Sequence, residues 1–185
     1  MDNGRTDLSK FDNSWYDHGG SGLKVALWQL VSIIFFLNHF SVLSGLKVTL
    51  LKMFGARMGR GIVIKQRVKI KYPWLLEVGD HVWIGEEVWL ENHAQVTIGN
   101  NSCISQGAML LCGNHDYKKT TFDLMAQPVT LKDGVWIGAH AVVCPGTVCK
   151  EHSVLTVNSV GSGTLEPYSI YKGNPAIKVK DRTIN

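Results

Sequence analysis

A six-residue spacing of aliphatic side chains governs most of this 185-residue chain. Aliphatic or methionine residues fall at Met58, Ile64 and Ile70, at Val78, Ile84 and Leu90, and at Ile98, Ile104 and Leu110, each triplet offset from the last by 20 positions. Twenty is three hexads plus two residues, so an insertion recurs at the same place in every cycle. After an interruption the series resumes at Leu131, Ile137 and Val143, then at Cys149 and Leu155, with Cys149 its weak member. A companion series lies two positions earlier and includes Val82, Val88, Ala108, Val135 and Thr147. Strand side chains alternate faces, so residues two apart point the same way. Each hexad therefore supplies a short strand with two inward residues and then a tight corner, which suits the glycine of Ile84-Gly85 or Ile137-Gly138. Three strands per coil predict a triangular prism of four to five stacked coils, an array that needs capped ends.

The prism is expected over residues 58–166, after an N-terminal region at 1–57 and before a tail at 167–185 that caps it. Residues 1–22 are polar and read as an irregular arm, with Phe11, Trp15 and Tyr16 placed to pin it to a neighbour. From Leu23 to about Phe40 apolar residues recur three or four apart, a helical period, and a second helix is expected from Val42 to Phe54. No charged residue occurs between Lys24 and Lys47, a length that would span a bilayer. Gln29, Ser32, Asn38 and Ser44 interrupt it, which predicts an apolar helix pair packed on the prism, between subunits, or resting at a membrane surface. The first ten residues are polar, so no cleavable signal is read there. A formal charge of +4 without a Lys/Arg run argues against a nucleic-acid groove and for anionic small molecules or membrane surfaces. Four cysteines without Cys-x-x-Cys or zinc-finger spacing predict reduced thiols in a cytoplasmic protein, with no metal.

The interruption is the candidate site. Leu110 to Leu131 is 21 residues where a cornered step takes eight, so about thirteen residues leave the prism as a loop near 112–128. It opens with Gly113-Asn114-His115-Asp116-Tyr117. Histidine is the side chain suited to take a proton near neutral pH, and a rigid coil beneath would hold it in place. Four other histidines, His81, His93, His140 and His152, fall three residues after an aliphatic and are expected at exposed corners. Asp116 is placed to orient the imidazole or an acceptor, and Asn114 to contact an acceptor; both also suit an ordinary turn. Trp83 and Trp136 precede inward aliphatics by one, so their rings point outward from the second strands of their coils, towards a subunit interface or a ligand.

The hexads, Val135-Trp136-Ile137-Gly138-Ala139, Cys144-Pro145-Gly146 and Gly173-Asn174-Pro175-Ala176 resemble the hexapeptide-repeat acyltransferases. The opening at Asp7–Tyr16 and Gly113–Tyr117 are similar, more narrowly, to the colanic acid biosynthesis acetyltransferase group. The resemblance implies a mainly β, left-handed parallel β-helix, a hand opposite to the usual crossover rule. It further implies a homotrimer with sites between prisms, acetyl-CoA as acyl donor, and His115 as the catalytic base. By resemblance to the galactoside and maltose enzymes, Ala139 would meet the thioester or its oxyanion, and Val157 and Ser162 the pantetheine arm. Where those relatives carry Thr-Lys, this chain has Ser162-Gly163-Thr164, which leaves Lys178 or Lys180 to meet phosphate. The acceptor-binding asparagine of the galactoside enzymes aligns with Glu87, which puts their sugar specificity in doubt. Zinc-dependent hydration on such a prism needs three converging imidazoles, and Thr120 stands where a second would be required. The expected function is transfer of acetyl to a sugar hydroxyl of an exopolysaccharide precursor, small or lipid-linked, at the cytoplasmic face of a membrane. The alternatives are another hydroxyl or amine acceptor, such as serine or a nucleotide-linked amino sugar, or a non-catalytic trimeric scaffold.

Overall fold

The computed structural model describes residues 4–40 and 43–185. At its centre three parallel sheets form the faces of a triangular β-helix. The inward hexad residues stack in register on each face. Met58, Val78, Ile98, Leu131, Cys149 and Leu165 follow one another on the first. Ile64, Ile84, Ile104, Ile137, Leu155 and Tyr171 do so on the second, and Ile70, Leu90, Leu110, Val143 and Gly161 on the third. The strand Val129–Leu131 pairs directly with Val96–Ile98, so the long insertion leaves the stack unbroken. The prism has five full coils and two strands of a sixth, more than the four to five expected. Gly161 stands at an inward position without an aliphatic side chain, and the next step, to Leu165, is four residues, so the period fades there.

Nearly all of these side chains are buried, each stabilising the fold by roughly 1.5–3 kcal/mol. Cys149 is fully buried and serves as an ordinary hexad residue. Among the small polar companion positions, Ser102 Oγ donates to the Lys132 carbonyl at 3.0 Å, whereas Ser153 Oγ is buried without a hydrogen-bond partner among the described residues.

The corners show why three of the histidines are structural. Gly107 turns with φ 66°, and a Cβ there would come 2.4 Å from Nδ1 of His140 in the next coil. Gly61 and Gly134 lie likewise beneath His81 and His152. His81, His140 and His152 are themselves left-handed, with φ between 54° and 57°. His93 departs from the expected exposed corner: only 16% of its side chain is accessible.

Two helices close the first coil. Helix α1 spans Gly22–Phe35, capped by the Ser21 side chain, which accepts from Lys24 N–H. It stops short of the expected Phe40, where Asn38 turns its carboxamide back onto the Ile34 carbonyl. Helix α2 spans Ser44–Met53; its expected start, Val42, lies outside the described residues. Trp28 packs on Phe36 and Phe54 and donates from Nε1 to the Ile70 carbonyl at 2.8 Å. At the other end Ser169–Gly173 continues the second face, and Ala176–Asp181 folds back against it antiparallel.

Candidate active site

The insertion leaves the prism at the corner between the third and first faces. It is a β-hairpin, not an open loop: Gly113–His115 pairs antiparallel with Leu124–Ala126, His115 opposite Leu124. A rigid ladder therefore carries the histidine. His115 is half-buried, and its Nδ1 lies 2.9 Å from the Phe122 carbonyl oxygen. A carbonyl only accepts, so in the neutral imidazole the proton sits on Nδ1 and Nε2 presents a lone pair. The imidazole also stacks on the Phe122 ring, with centroids 4.3 Å apart and planes 7° from parallel. Phe122 reaches both positions because its backbone is left-handed, φ 53°, an uncommon conformation for a bulky residue. Phe11 of the N-terminal arm packs on the imidazole, at 5.8 Å. The arm expected to reach a neighbour thus lies on its own hairpin, where Asp7 N–H also donates to the Thr120 carbonyl at 2.8 Å.

Asp116 does not orient the imidazole. Its Oδ1 accepts from the Lys118 N–H at 3.1 Å, an Asx turn, and Phe122 does the orienting. Asn114 is exposed, and its Oδ1 accepts from the His115 N–H at 2.8 Å. Cys112, just before the hairpin, is fully buried, and burial pushes its thiol up to about 11, so it offers no thiolate at neutral pH.

The root of the hairpin is held by a cluster that hexad arithmetic does not reveal. Glu91 Oε2 accepts from the Gly113 N–H at 3.2 Å. Its other oxygen lies 2.5 Å from His93 Nε2 and 3.3 Å from Lys71 Nζ. Tyr16 of the arm donates to the His93 carbonyl at 2.6 Å and meets its Nδ1 at 3.2 Å. Burial raises the Glu91 carboxyl, but the His93 hydrogen bond and the neighbouring Lys71 outweigh it and hold the group below its ordinary value. A Cβ on Gly113 would fall 2.9 Å from His93 Cδ2, so glycine is needed for the close approach.

Three of the other expected residues meet elsewhere. Trp136, Ala139 and Val157 line one open groove of about 520 Å³ on the second face and its edge with the third. The indole Nε1 of Trp136 is tied to Ser105 Oγ at 3.0 Å, which fixes the ring as one wall. Lys180 follows along the same face, since Trp136, Val154, Ile170 and Lys180 are successive register partners. Three strand spacings, roughly 14 Å, separate the first from the last. Lys178 is instead engaged by Asp181 at 2.7 Å. Ser162 is exposed at the corner between third and first faces, two coils beyond the hairpin. Glu87 pairs with Arg67 at 3.0 Å and lines a different groove, with Trp89, Met109 and His140. The histidine and the Trp136 groove thus stand on different edges of one prism. Among the described residues no group of three His, Cys, Asp or Glu side chains is placed to hold a metal ion.

No family model matches the chain. It is 35% identical over 176 residues to a protein of Escherichia coli K12 named as a colanic acid biosynthesis acetyltransferase, WcaF, covering 95% of this chain and 97% of that one. It is 23% identical over 136 residues to the galactoside O-acetyltransferase of the same organism, covering 72% and 67% of the two chains. Among solved structures, the hexapeptide-repeat-containing acetyltransferase VCA0836 of Vibrio cholerae matches with a TM-score of 0.79 at 18% identity, over 90% of this chain and 96% of that one. A maltose O-acetyltransferase of Clostridium difficile matches with a TM-score of 0.79 at 18% identity, over 89% and 90%. These structural likenesses show the fold, the left-handed parallel β-helix. Sequence identity spread over nearly its whole length shows that the chain belongs to the WcaF family of hexapeptide-repeat acetyltransferases.

Proposed function

We propose that the protein transfers an acetyl group from acetyl-CoA to a sugar hydroxyl of an exopolysaccharide precursor, with His115 as general base. One observation carries this reading: the imidazole donates a hydrogen bond from Nδ1–H to the Phe122 carbonyl and so keeps Nε2 free to receive a proton. An alcohol attacks an acyl carbon poorly until its proton leaves, and a positioned base typically contributes roughly a hundred- to ten-thousandfold. The hydroxyl proton passes to Nε2 as the new carbon–oxygen bond forms. When the carbon–sulfur bond breaks, the departing thiolate takes that proton, and the base is reset.

The Trp136 groove fits the donor. Its walls are largely apolar, from Trp136, Ala139, Val154 and Val157, which suits a pantetheine arm, and Lys180 lies further along the same face for a phosphate. VCA0836 has been solved with acetyl-CoA, and a galactoside acetyltransferase with coenzyme A. The base and this groove stand on different edges, which supports a homotrimer in which each site joins the hairpin of one copy to the groove of the next. The acceptor class rests on the names of the relatives, one placed in colanic acid biosynthesis and one acting on galactosides. A lipid-linked form of that saccharide, met at the inner face of a membrane, fits the exposed apolar helix described below. Asn114 and Asp116, on the hairpin with His115, are the polar groups offered to the acceptor, while Glu87 is paired with Arg67 in a separate groove.

The test is transfer from labelled acetyl-CoA to a panel of saccharide, amino-sugar and serine acceptors, with His115→Ala beside the wild type. Labelled ester on a saccharide, lost in the variant, is expected. Transfer at an unchanged rate in the variant would overturn the assignment of the base.

A further inference from the structure

Helix α1 is apolar on two opposite faces, and only one has a partner. Trp28 and Phe36 are buried against the prism. On the other side Leu23, Leu27, Leu30, Ile33, Ile34 and Leu37 form a stripe at helical spacing, with Leu30 56% and Ile33 60% exposed. An apolar surface of this extent on a polar protein marks a contact site. The helix is 14 residues long, and no helix among the described residues is long and apolar enough to cross a membrane.

The charge around the stripe identifies what fits it. No Asp or Glu occurs between Asp17 and Glu77, a stretch that holds nine lysines and arginines in a chain whose net charge is only +4. Four of these cations are paired with carboxylates of the second coil: Arg57 with Glu77, Arg60 with Asp80, Arg67 with Glu87, and Lys71 with Glu91. Lys52, Lys65 and Lys69 are exposed and have no carboxylate partner among the described residues. Lys69 shares a groove with Leu37 at the end of the stripe, where the one carboxylate, Glu87, is neutralised by Arg67, and Lys71 lines a second groove with Ile33 and Leu37.

We infer that this face docks on an anionic lipid surface, with α1 lying in the plane of the headgroups and the lysines of the first coil against lipid phosphates. The proposed acceptor chemistry would give this surface its use, but the surface is argued from the stripe and its charges alone.

The test is co-sedimentation of the full chain with vesicles of phosphatidylcholine alone or mixed with phosphatidylglycerol. The wild type is expected to bind the mixed vesicles at least tenfold more tightly, and less so as salt is raised. Leu30→Ser with Ile33→Ser, both exposed, should weaken binding at least tenfold, and Lys65→Gln with Lys69→Gln should remove most of the preference for the anionic lipid. No binding to either vesicle, or binding indifferent to the leucine and isoleucine changes, would overturn the inference. So would a smaller assembly for the Leu30→Ser, Ile33→Ser protein in sedimentation velocity, which would mean that a second copy covers the stripe. Vesicle binding is read without acyl transfer, so a protein that transfers acetyl but ignores vesicles defeats this inference and leaves the proposed function standing.

Discussion

The Phe122 carbonyl stands 2.9 Å from Nδ1 of His115, and the Phe122 ring lies flat against the same imidazole. One residue sets both the tautomer and the plane of that imidazole. The left-handed backbone that makes this possible costs about 1–2 kcal/mol for a residue with a Cβ, so Phe122→Gly separates the two effects. Glycine relieves the backbone and keeps the carbonyl but loses the stack, worth about 1 kcal/mol. Stability should therefore change little, because gain and loss oppose each other, while kcat falls by roughly fivefold with KM for acetyl-CoA unchanged. Thermal unfolding and steady-state kinetics on the same preparation decide it. An unaltered kcat would mean that the stack does not position the base.

Glu91 supports a second prediction, in pH. Its carboxyl in the folded protein titrates below the ordinary 4.5 because His93 and Lys71 outweigh the effect of burial. A group depressed on folding contributes stability that is fully present above its unfolded value and is lost as pH falls through the lower folded one. Amide exchange at Gly113–His115 should thus be slow at neutral pH and lose protection as pH drops below about 4.5. In Glu91→Gln the hairpin root should be less protected at neutral pH, by about 1.5–3 kcal/mol for a hydrogen bond to a charged group, and the acid step should be absent. Equal protection in the two proteins at both ends of the range would remove Glu91 from the role of anchor. Gly113→Ala reaches the same latch by crowding, since the new Cβ meets His93 Cδ2 at 2.9 Å.

If the Trp136 groove holds the acyl donor as proposed, the two lysines of the C-terminal hairpin should behave differently. Asp181 neutralises Lys178, whereas Lys180 has no ion pair among the described residues and sits in register with the strands that carry Trp136. Lys180→Ala should raise KM for acetyl-CoA by roughly tenfold, the loss of one phosphate contact of about 1.4 kcal/mol, and leave kcat unaltered. Lys178→Ala should do less. The reverse ranking would place the phosphates elsewhere on the face.

How much could be read from the sequence follows the physics of each part. The prism was legible because an inward side chain every six residues is a one-dimensional signal; it faded where Gly161 supplied no side chain and the step to Leu165 shortened. The place of His115 on an insertion was legible because the hairpin breaks a regular count. Its orienting group was not, because a backbone carbonyl such as that of Phe122 leaves no trace in residue identity, and the nearby Asp116 drew the role instead. The Glu91, His93 and Tyr16 cluster joins positions 77 residues apart. His93 fell on the same count as three true corner residues, and only the neighbouring Asn92, fully buried and bonded to the Lys71 and Tyr72 amides, marks its corner as different.

Because His115 and the Trp136 groove stand on different edges of one prism, complementation between two variants tests the proposed assembly directly. If the hairpin of one copy serves the groove of another, two inactive proteins can complement. His115→Ala lacks the base, and Ala139→Trp fills the groove with an indole; each alone should transfer acetyl at the background rate. When the two are co-expressed in equal amounts and assemble at random, each site draws its base from one copy and its groove from the next. A site is then complete with a chance of one half for each part, so about a quarter of wild-type activity should return. Mixing the purified proteins without dissociation should restore none, which controls for exchange. If each chain instead completes its own site, co-expression restores nothing either, because every chain then carries one of the two defects. Recovery near a quarter and its absence are far enough apart for a simple rate measurement to separate the two arrangements.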